Sequence, residues 1–424
     1  MPVELRGLHP ALAASAEAAE QRALEVGLRP GRVRFQGLER RHLHALAARG
    51  GYPVRHRAWR FGMEFHRLER GARQGSLRLL ELVTPGDPTV ASLDRANRLP
   101  EQRLVLTHVL AHADLFGASR WFSGVGQGFL GELARNAGRV EDWVQEHGAA
   151  TVERRLELLQ ALAELVDPEL LLRGAYRARS SERDLLGTLA AHDRLAGWER
   201  DLVSVARSEA YGLLPQRLTR ITNEGWASLW HSTLLPAEHL RSVEATEFAG
   251  THARATAAAP GELNPYRLGL ELLRHAAGQG RDLLALRAWH RDESLVEELL
   301  DEEFALESEL VRARAGDEPV RGAWRRVRRD LLRSLRDGGR PRLHHEVRGE
   351  ELVLVHEHDG RDLQLDEAAS VLAALESLWR APVHLRTLRG GEALWLTSRG
   401  GAVLTEPVHA GSPGRPGGSL PRAA

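Results

Sequence analysis

The chain has 424 residues, 42% hydrophobic and 27% charged, and its 58 basic and 58 acidic side chains balance to a formal net charge of zero. That length suits one large body with an appendage, or two or three domains, and the balance argues against chain-wide affinity for nucleic acid or anionic membrane. Cysteine and lysine are absent, which excludes disulfides, thiolate zinc sites, cysteine nucleophiles, Schiff-base lysines and the lysine of a P-loop.

The opening MPVELRGLHPALAASAEAAEQRALEVGL lacks a basic start followed by an apolar run, so no signal peptide is expected. No apolar run approaches the ~18 residues of a membrane span, and a cytoplasmic location is expected. Residues 1–30 read as an amphipathic helix closed by Arg29-Pro30-Gly31, and 38–49 as a second helix ending at Gly50-Gly51. The segment 52–62, with Pro53, His56, Trp59 and Phe61, reads as an ordered loop. Helical pattern resumes over 63–83 and stops at Pro-Gly-Asp-Pro, 85–88, where Asp87 or Thr89 is the candidate cap. The run 101–116, EQRLVLTHVLAHADLF, is apolar around most of its circumference and reads as a buried helix.

Helical pattern continues over 128–146, 150–165, 167–176, 181–190, 196–211, Leu218 to Leu234, 237–254, 264–278, an acidic 291–313 and a basic 320–336. Asn264-Pro265 looks like a helix start. After Gly338-Gly339 the pattern changes to period two. It predicts a hairpin about Arg348-Gly349, a helix over 366–379, and three short strands in PVHLRTLR, EALWLTS and AVLTEP. The expected fold is mainly α: a large multi-helix body (1–337), a small C-terminal α+β unit (338–407) and a disordered Gly/Pro/Ser tail (408–424).

Two polar segments stand out. In THVLAHADLF, His108 and His112 are the only histidines spaced by four, one helical turn apart on one face. Two imidazoles so placed can share a divalent metal ion, with zinc favoured; a hydrogen-bonded core pair is the competing reading. Asp114, on the next turn, can ligate or orient from an outer shell. The zinc hydrolase motif H-E-x-x-H puts a general-base Glu after the first histidine. Here Val109 holds that position, so the base must come from another carboxylate.

In ITNEGWASLWH, Glu224 and His231 lie two turns apart, ~10.5 Å along a helix, too far to bind one small ion from adjacent positions. Glu224 as the third ligand would complete a His-His-Glu site with an open position. A buried ion pair with an arginine is the alternative. His231 would then be an outer-shell group or substrate contact, and Gly225 suggests close helix packing. Glu64, His66, Asn97, Glu247, His252 and the sequence NPYRLG are further polar candidates, each more often structural than catalytic. The basic stripe 321–336 suits a phosphate or a partner, or a solvated face paired with the acidic 292–309.

The ordered segments YPVRHRAWRFGMEFHRLERG, ELVTPGDP, THVLAHADLF, ERDLLG, LLPQRLTRITNEGWASLWH, NPYRLGLEL, RDESLVEELL and LESLWRAPVHL resemble the stage V sporulation protein R (SpoVR) family over residues 40–400. The resemblance implies a bacterial cytosolic protein, linked in spore formers to assembly of the spore cortex peptidoglycan. Elsewhere it implies a stress-response module shared with a PrkA-type serine protein kinase and a von Willebrand A-like domain protein. His108, His112, Asn223, Glu224, Gly225, Trp226 and His231 stand where the family pattern has them. LFGASR at 115–120 replaces the family's aromatic residues and Lys-Asn-Asn run. NEGWA is also similar to the EGWA of some zinc peptidase-like proteins, where the Glu is a metal ligand.

Three functions compete at this level. In a metal-dependent hydrolase acting on peptide or peptidoglycan-like bonds, His108, His112 and Glu224 hold the ion, and Asp114, His231 or His252 orients water or acts as acid/base. A non-catalytic adaptor would dock the kinase or the von Willebrand A-like partner through exposed helices or the C-terminal unit. Nucleic-acid binding through the basic stripe ranks last, because no such motif appears.

Overall fold

The computed structural model describes residues 3–75, 78–125, 128–234 and 261–408. In chain order its elements are β1 (Val3–Arg6), α1 (Leu12–Glu25), β2 (Val33–Leu38), α2 (Arg40–Ala48), α3 (Trp59–Arg73), β3 (Glu81–Thr84), β4 (Thr89–Asp94), α4 (Leu99–Ala118), α5 (Arg120–Ser123) and α6 (Phe129–His147). Then come α7 (Ala149–Leu162), α8 (Pro168–Leu172), α9 (Leu185–Ala190), α10 (Gly197–Leu218), α11 (Arg220–Leu234), α12 (Pro265–Gly278), α13 (Leu283–Trp289), α14 (Asp292–Leu299), α15 (Glu302–Glu307), α16 (Glu309–Ala315) and α17 (Val320–Leu335). The chain ends in β5 (Leu343–Arg348), β6 (Glu351–His356), α18 (Leu365–Trp379), β7 (Val383–Arg389), β8 (Glu392–Arg399) and β9 (Ala402–Pro407).

Two compact units result: residues 1–139 with 214–338, and residues 140–213 with 339–424. The boundaries fall inside α6 and α10. The second unit thus takes in 140–213, which the sequence assigns to the helical body, besides the C-terminal α+β segment. All of the expected helix 237–254, and the expected tail after Val408, lie outside the described residues.

The first unit contains a sheet that helical periodicity hid. Its order is β1-β2-β4-β3, with β1, β2 and β4 parallel and β3 antiparallel to β4. β2 buries Val33 and Phe35 and turns Arg34 and Gln36 toward the edge of the core, the alternation of a half-buried strand. α1 and α4 supply the apolar cover, with Leu12, Ala16 and Ala19 joining Val105, Val109 and Leu110 in one cluster with Phe35 and Leu93. Three expectations are corrected here. Residues 1–30 are a strand followed by a helix. The loop over 52–62 gives way to α3 at Trp59. The pattern over 63–83 ends as helix at Arg73, and β3 starts at Glu81. Neither expected cap forms: Asp87 pairs with Arg32 at 2.9 Å, and Thr89 opens β4.

The expected acidic helix 291–313 is three short helices. Asp301 caps the start of the second, accepting from Phe304 N (2.8 Å), and Ser308 ends that helix and starts the third, accepting from Val311 N (3.4 Å). The basic α17 buries Trp324, Val327 and Leu331 against Leu295, Val296, Phe304 and Val311, each such side chain contributing roughly 1.5–3 kcal/mol. It therefore meets the acidic stretch through apolar packing, with Arg336–Glu293 at 3.7 Å as an ion pair at the margin.

α11 is the element that builds the site, and three features set it. Asp292 accepts from Ile221 N (2.9 Å), Thr222 N (2.8 Å) and Thr222 Oγ1 (3.0 Å), satisfying backbone donors of the helix's first turn. Gly225 faces Gly269 of α12 so closely that a Cβ at Gly225 would stand 2.4 Å from Gly269 Cα, and one at Gly269 would stand 2.1 Å from Ile221 O. Asn264 caps α12 as expected, accepting from Tyr266 N (2.9 Å) and Arg267 N (3.2 Å). The glycine crossing brings Tyr266 onto the face of α11 that carries Glu224.

The C-terminal segment of the second unit follows the sequence closely. β5–β9 form one sheet in chain order, antiparallel except for the parallel pair β6–β7, which α18 connects. Its helical part is tied by Asp184, which accepts from Gly187 N (3.0 Å), Arg207 Nη2 (2.6 Å) and Tyr211 OH (3.1 Å).

Candidate metal centre

Of α4, nearly every residue from Pro100 to Leu115 is buried. Imidazoles on such a helix lose water and must find protein partners. His112 Nδ1 lies 2.8 Å from Asn223 Oδ1 on α11. The amide oxygen accepts, so the ring proton sits on Nδ1 and Nε2 keeps its lone pair. That lone pair faces His108 Nε2 at 2.9 Å, and the far nitrogen of His108, Nδ1, is 3.4 Å from His231 Nδ1. Glu224 Oε2 stands 3.7 Å from Nε2 of both rings. Glu81 Oε1, on β3, is 3.9 Å from His108 Nε2. The Tyr266 ring lies parallel to His108, with centroids 6.4 Å apart, and its phenol interacts with the Glu224 carboxylate.

The charges in this cluster determine one another. Burial opposes a charge on His108, but Glu224 and Glu81 outweigh it and raise its pKa. Burial and the neighbouring His108 push His112 down to about 4. The two rings are thus driven in opposite directions, His108 up and His112 down. Burial, reinforced by Glu224 and opposed by His108, pushes the Glu81 carboxyl up. Burial works against Glu224 too, yet His108, His112 and Tyr266 hold it below its ordinary value. Burial and both carboxylates push the Tyr266 phenol well above the usual range.

The donor set suits zinc. His108, His112 and Glu224 each offer one ligand atom, and these atoms lie within 4.8 Å of one another. Glu224 Oε2 is buried and has no hydrogen-bond partner. Two neutral nitrogens and one carboxylate are the usual ligands of an open zinc site, and Asn223 and His231 hold the far sides of the rings as outer-shell partners do.

The other sequence candidates go elsewhere. Asp114 is fully buried and accepts from Arg29 N (2.6 Å), Trp226 Nε1 (3.1 Å), Arg287 Nε (2.5 Å) and Arg287 Nη2 (3.0 Å). Both its oxygens are taken by structural partners. His252 and Glu247 lie outside the described residues. Glu64 pairs with Arg67 at 2.6 Å, His66 is exposed beside Phe65, and Asn97 Nδ2 donates to Leu80 O at 2.7 Å. Glu81 and Arg287 belong to these clusters without having been singled out in the sequence, whereas Tyr266 lay in the candidate segment NPYRLG with no role assigned to it. Glu81 opens the short ELVT run and Tyr266 follows a helix cap, so each carried a local structural reading. Another group, His275, Asp301 and Glu303, also gathers. Gln279 Nε2 already bonds all three, at 3.0, 3.3 and 3.4 Å.

Comparison with known proteins is consistent with these segments. The family model described as SpoVR like protein matches residues 8–175 and 173–340, which covers His108, His112 and Glu224 and leaves out β5–β9. The chain is similar to the uncharacterized protein YcgB of Escherichia coli (strain K12), 24% identical over 288 residues, 52% of this chain and 54% of that protein. It thus spans about half the length of that curated relative. No solved structure matches. On the family match, over most of its length, the chain belongs to the SpoVR family.

Proposed function

We propose that this SpoVR protein is a metal-dependent hydrolase in which His108, His112 and Glu224 hold one divalent ion, zinc by preference, and that it acts on peptide or peptidoglycan-like bonds. The observation that carries the reading is the convergence of two Nε2 atoms 2.9 Å apart with Glu224 Oε2, which has no hydrogen-bond partner and stands 3.7 Å from each. A bound ion would supply Lewis-acid polarisation and lower the pKa of a water. The chain's own groups do the rest: Asn223 and His231 fix the rings, and Tyr266 orients Glu224. The Glu81 and Glu224 side chains keep 19% exposure each, although one carboxylate oxygen of each is buried. Among the described residues no helix is long and apolar enough to cross a membrane. We place the activity in the cytoplasm, in cortex assembly where the host sporulates and in stress response elsewhere.

Elemental analysis of natively purified protein should find one zinc per chain, lost in His112→Ala. Wild-type protein with no bound metal and full biological activity would overturn the reading.

A second reading is an adaptor for a PrkA-type serine kinase or a von Willebrand A-like protein. It draws support from α3, a fifteen-residue helix with Leu68 as its one buried residue. Trp59 and Met63 on it are 55% and 60% exposed, and an exposed apolar patch of this kind suits docking. Co-purification that survives the double change Trp59→Ala, Met63→Ala would count against this docking face.

A further inference from the structure

The histidine helix lacks the carboxylate that hydrolytic zinc helices carry after their first histidine, since Val109 occupies that place and is fully buried. We infer that Glu81, reaching the centre from β3, supplies the missing general base. The inference rests on the metal reading above.

The argument is one of position and elimination. Glu81 Oε1 is 3.9 Å from His108 Nε2, yet the group whose ligand atoms all lie within 4.8 Å of one another holds His108, His112 and Glu224. Glu81 therefore stands beside the ligand set and is not one of its corners. Its Oε2 is buried without a hydrogen-bond partner, so the carboxylate is not consumed by the fold. The neighbouring groups are engaged. Asp114 is closed by Arg29, Trp226 and Arg287; Tyr266 interacts with Glu224; His231 faces the far nitrogen of His108. A carboxylate next to an open position, within reach of a water there, meets the geometric condition for a base.

The step balances on one proton. Water oxygen forms a bond to the substrate carbonyl carbon as its proton passes to the Glu81 carboxylate. The C–N bond then breaks, and that proton moves from Glu81 to the departing nitrogen, leaving acid and amine as products.

Glu81→Gln separates this role from metal binding. It should keep one zinc per chain by elemental analysis. In cobalt(II)-loaded protein, azide followed by its visible spectrum should bind about tenfold more tightly than in wild type, because the carboxylate that a base must present beside the open position is gone. Hydrolysis of purified disaccharide-peptide fragments should fall by about 10²–10⁴, with partial recovery in Glu81→Asp. Loss of zinc from Glu81→Gln would make Glu81 a ligand and overturn the base role while leaving the metal reading standing. Unchanged azide affinity or an undiminished rate would also overturn it. A wild-type protein without zinc would overturn both.

Discussion

Asp114 and Glu224 face opposite ways across the same pair of helices. Asp114 stands on α4 and is received by Trp226 of α11; Glu224 stands on α11 and faces His108 and His112 of α4. The first is saturated, with four donors on two oxygens, two of them from the buried Arg287. The second has a buried oxygen with no hydrogen-bond partner, as has Glu81 beside it. Native proteins rarely leave buried carboxylate oxygens unpaired. One cluster therefore looks like the clamp that fixes two helices, and the adjacent one like the place where that fixed geometry is used. Asp114 and His112 are two residues apart in sequence, so type and spacing alone do not tell the two roles apart; the partners do.

The widest contrast should come from breaking the clamp. Asp114→Ala leaves Arg287 buried and unpaired, and urea denaturation should show a loss of about 3–5 kcal/mol. Exchanging both members, Asp114→Leu with Arg287→Met, should recover much of it, since an apolar pair of similar volume avoids an orphaned charge. If Asp114→Ala cost no more than a surface change, the clamp would be no clamp. Next in size is Gly225→Ala. Its Cβ would meet the backbone of Gly269, and overpacking of that kind costs about 1–3 kcal/mol. Zinc affinity should fall with it, because the same crossing carries Glu224 and Tyr266. On the other side of the comparison, Asn223→Ala should cost about 1–2 kcal/mol by leaving His112 Nδ1 without its acceptor. Its effect on zinc should be disproportionate, about 10–100-fold in affinity, as for other outer-shell partners. Equal and small effects on stability and on zinc would place Asn223 in the clamp.

Much of this arrangement was legible in the sequence, and the part that was not has a common cause. α4 could be read because its burial is all round and its histidines interrupt an apolar run. Gly225 signalled a close approach, and Asn264 a helix start. The C-terminal strands alternate cleanly and pair with chain neighbours, so periodicity found them. The first sheet did not show itself because β1, β2 and β4 are parallel and pair across long separations, Val33 with Thr89 for example. β1 and β3 have four residues each, too few to display a period. Missing β3 meant missing Glu81. Tyr266 was hidden for another reason: its place beside Glu224 depends on Gly269 meeting Gly225, a contact between helices that neither sequence segment announces alone.

Asp292 offers the finest test, since it holds α11 as Asp114 does but without a cation. It sits buried at the first turn of that helix within an acidic run. Burial pushes its carboxyl from an ordinary 3.8 up to about 7, against the pull of the Ile221 and Thr222 donors. The sign follows from linkage. The folded protein binds this proton more tightly than the unfolded chain does, so the contribution is fully present below pH 3.8 and is lost as pH rises through about 7. Over that window this group alone should lower stability with a slope of about 1 kcal/mol per pH unit. Asp292→Asn cannot ionise and should flatten that slope, whatever it does to stability at one pH. Urea midpoints measured from pH 4 to 8 would show it. A slope unchanged in the variant would mean that Asp292 stays ionised on its helix N-terminus, with backbone donors and the helix dipole outweighing burial. In that event α11 is fixed at both clamps by charge, and the contrast between Asp114 and Asp292 disappears while the one between Asp114 and Glu224 remains.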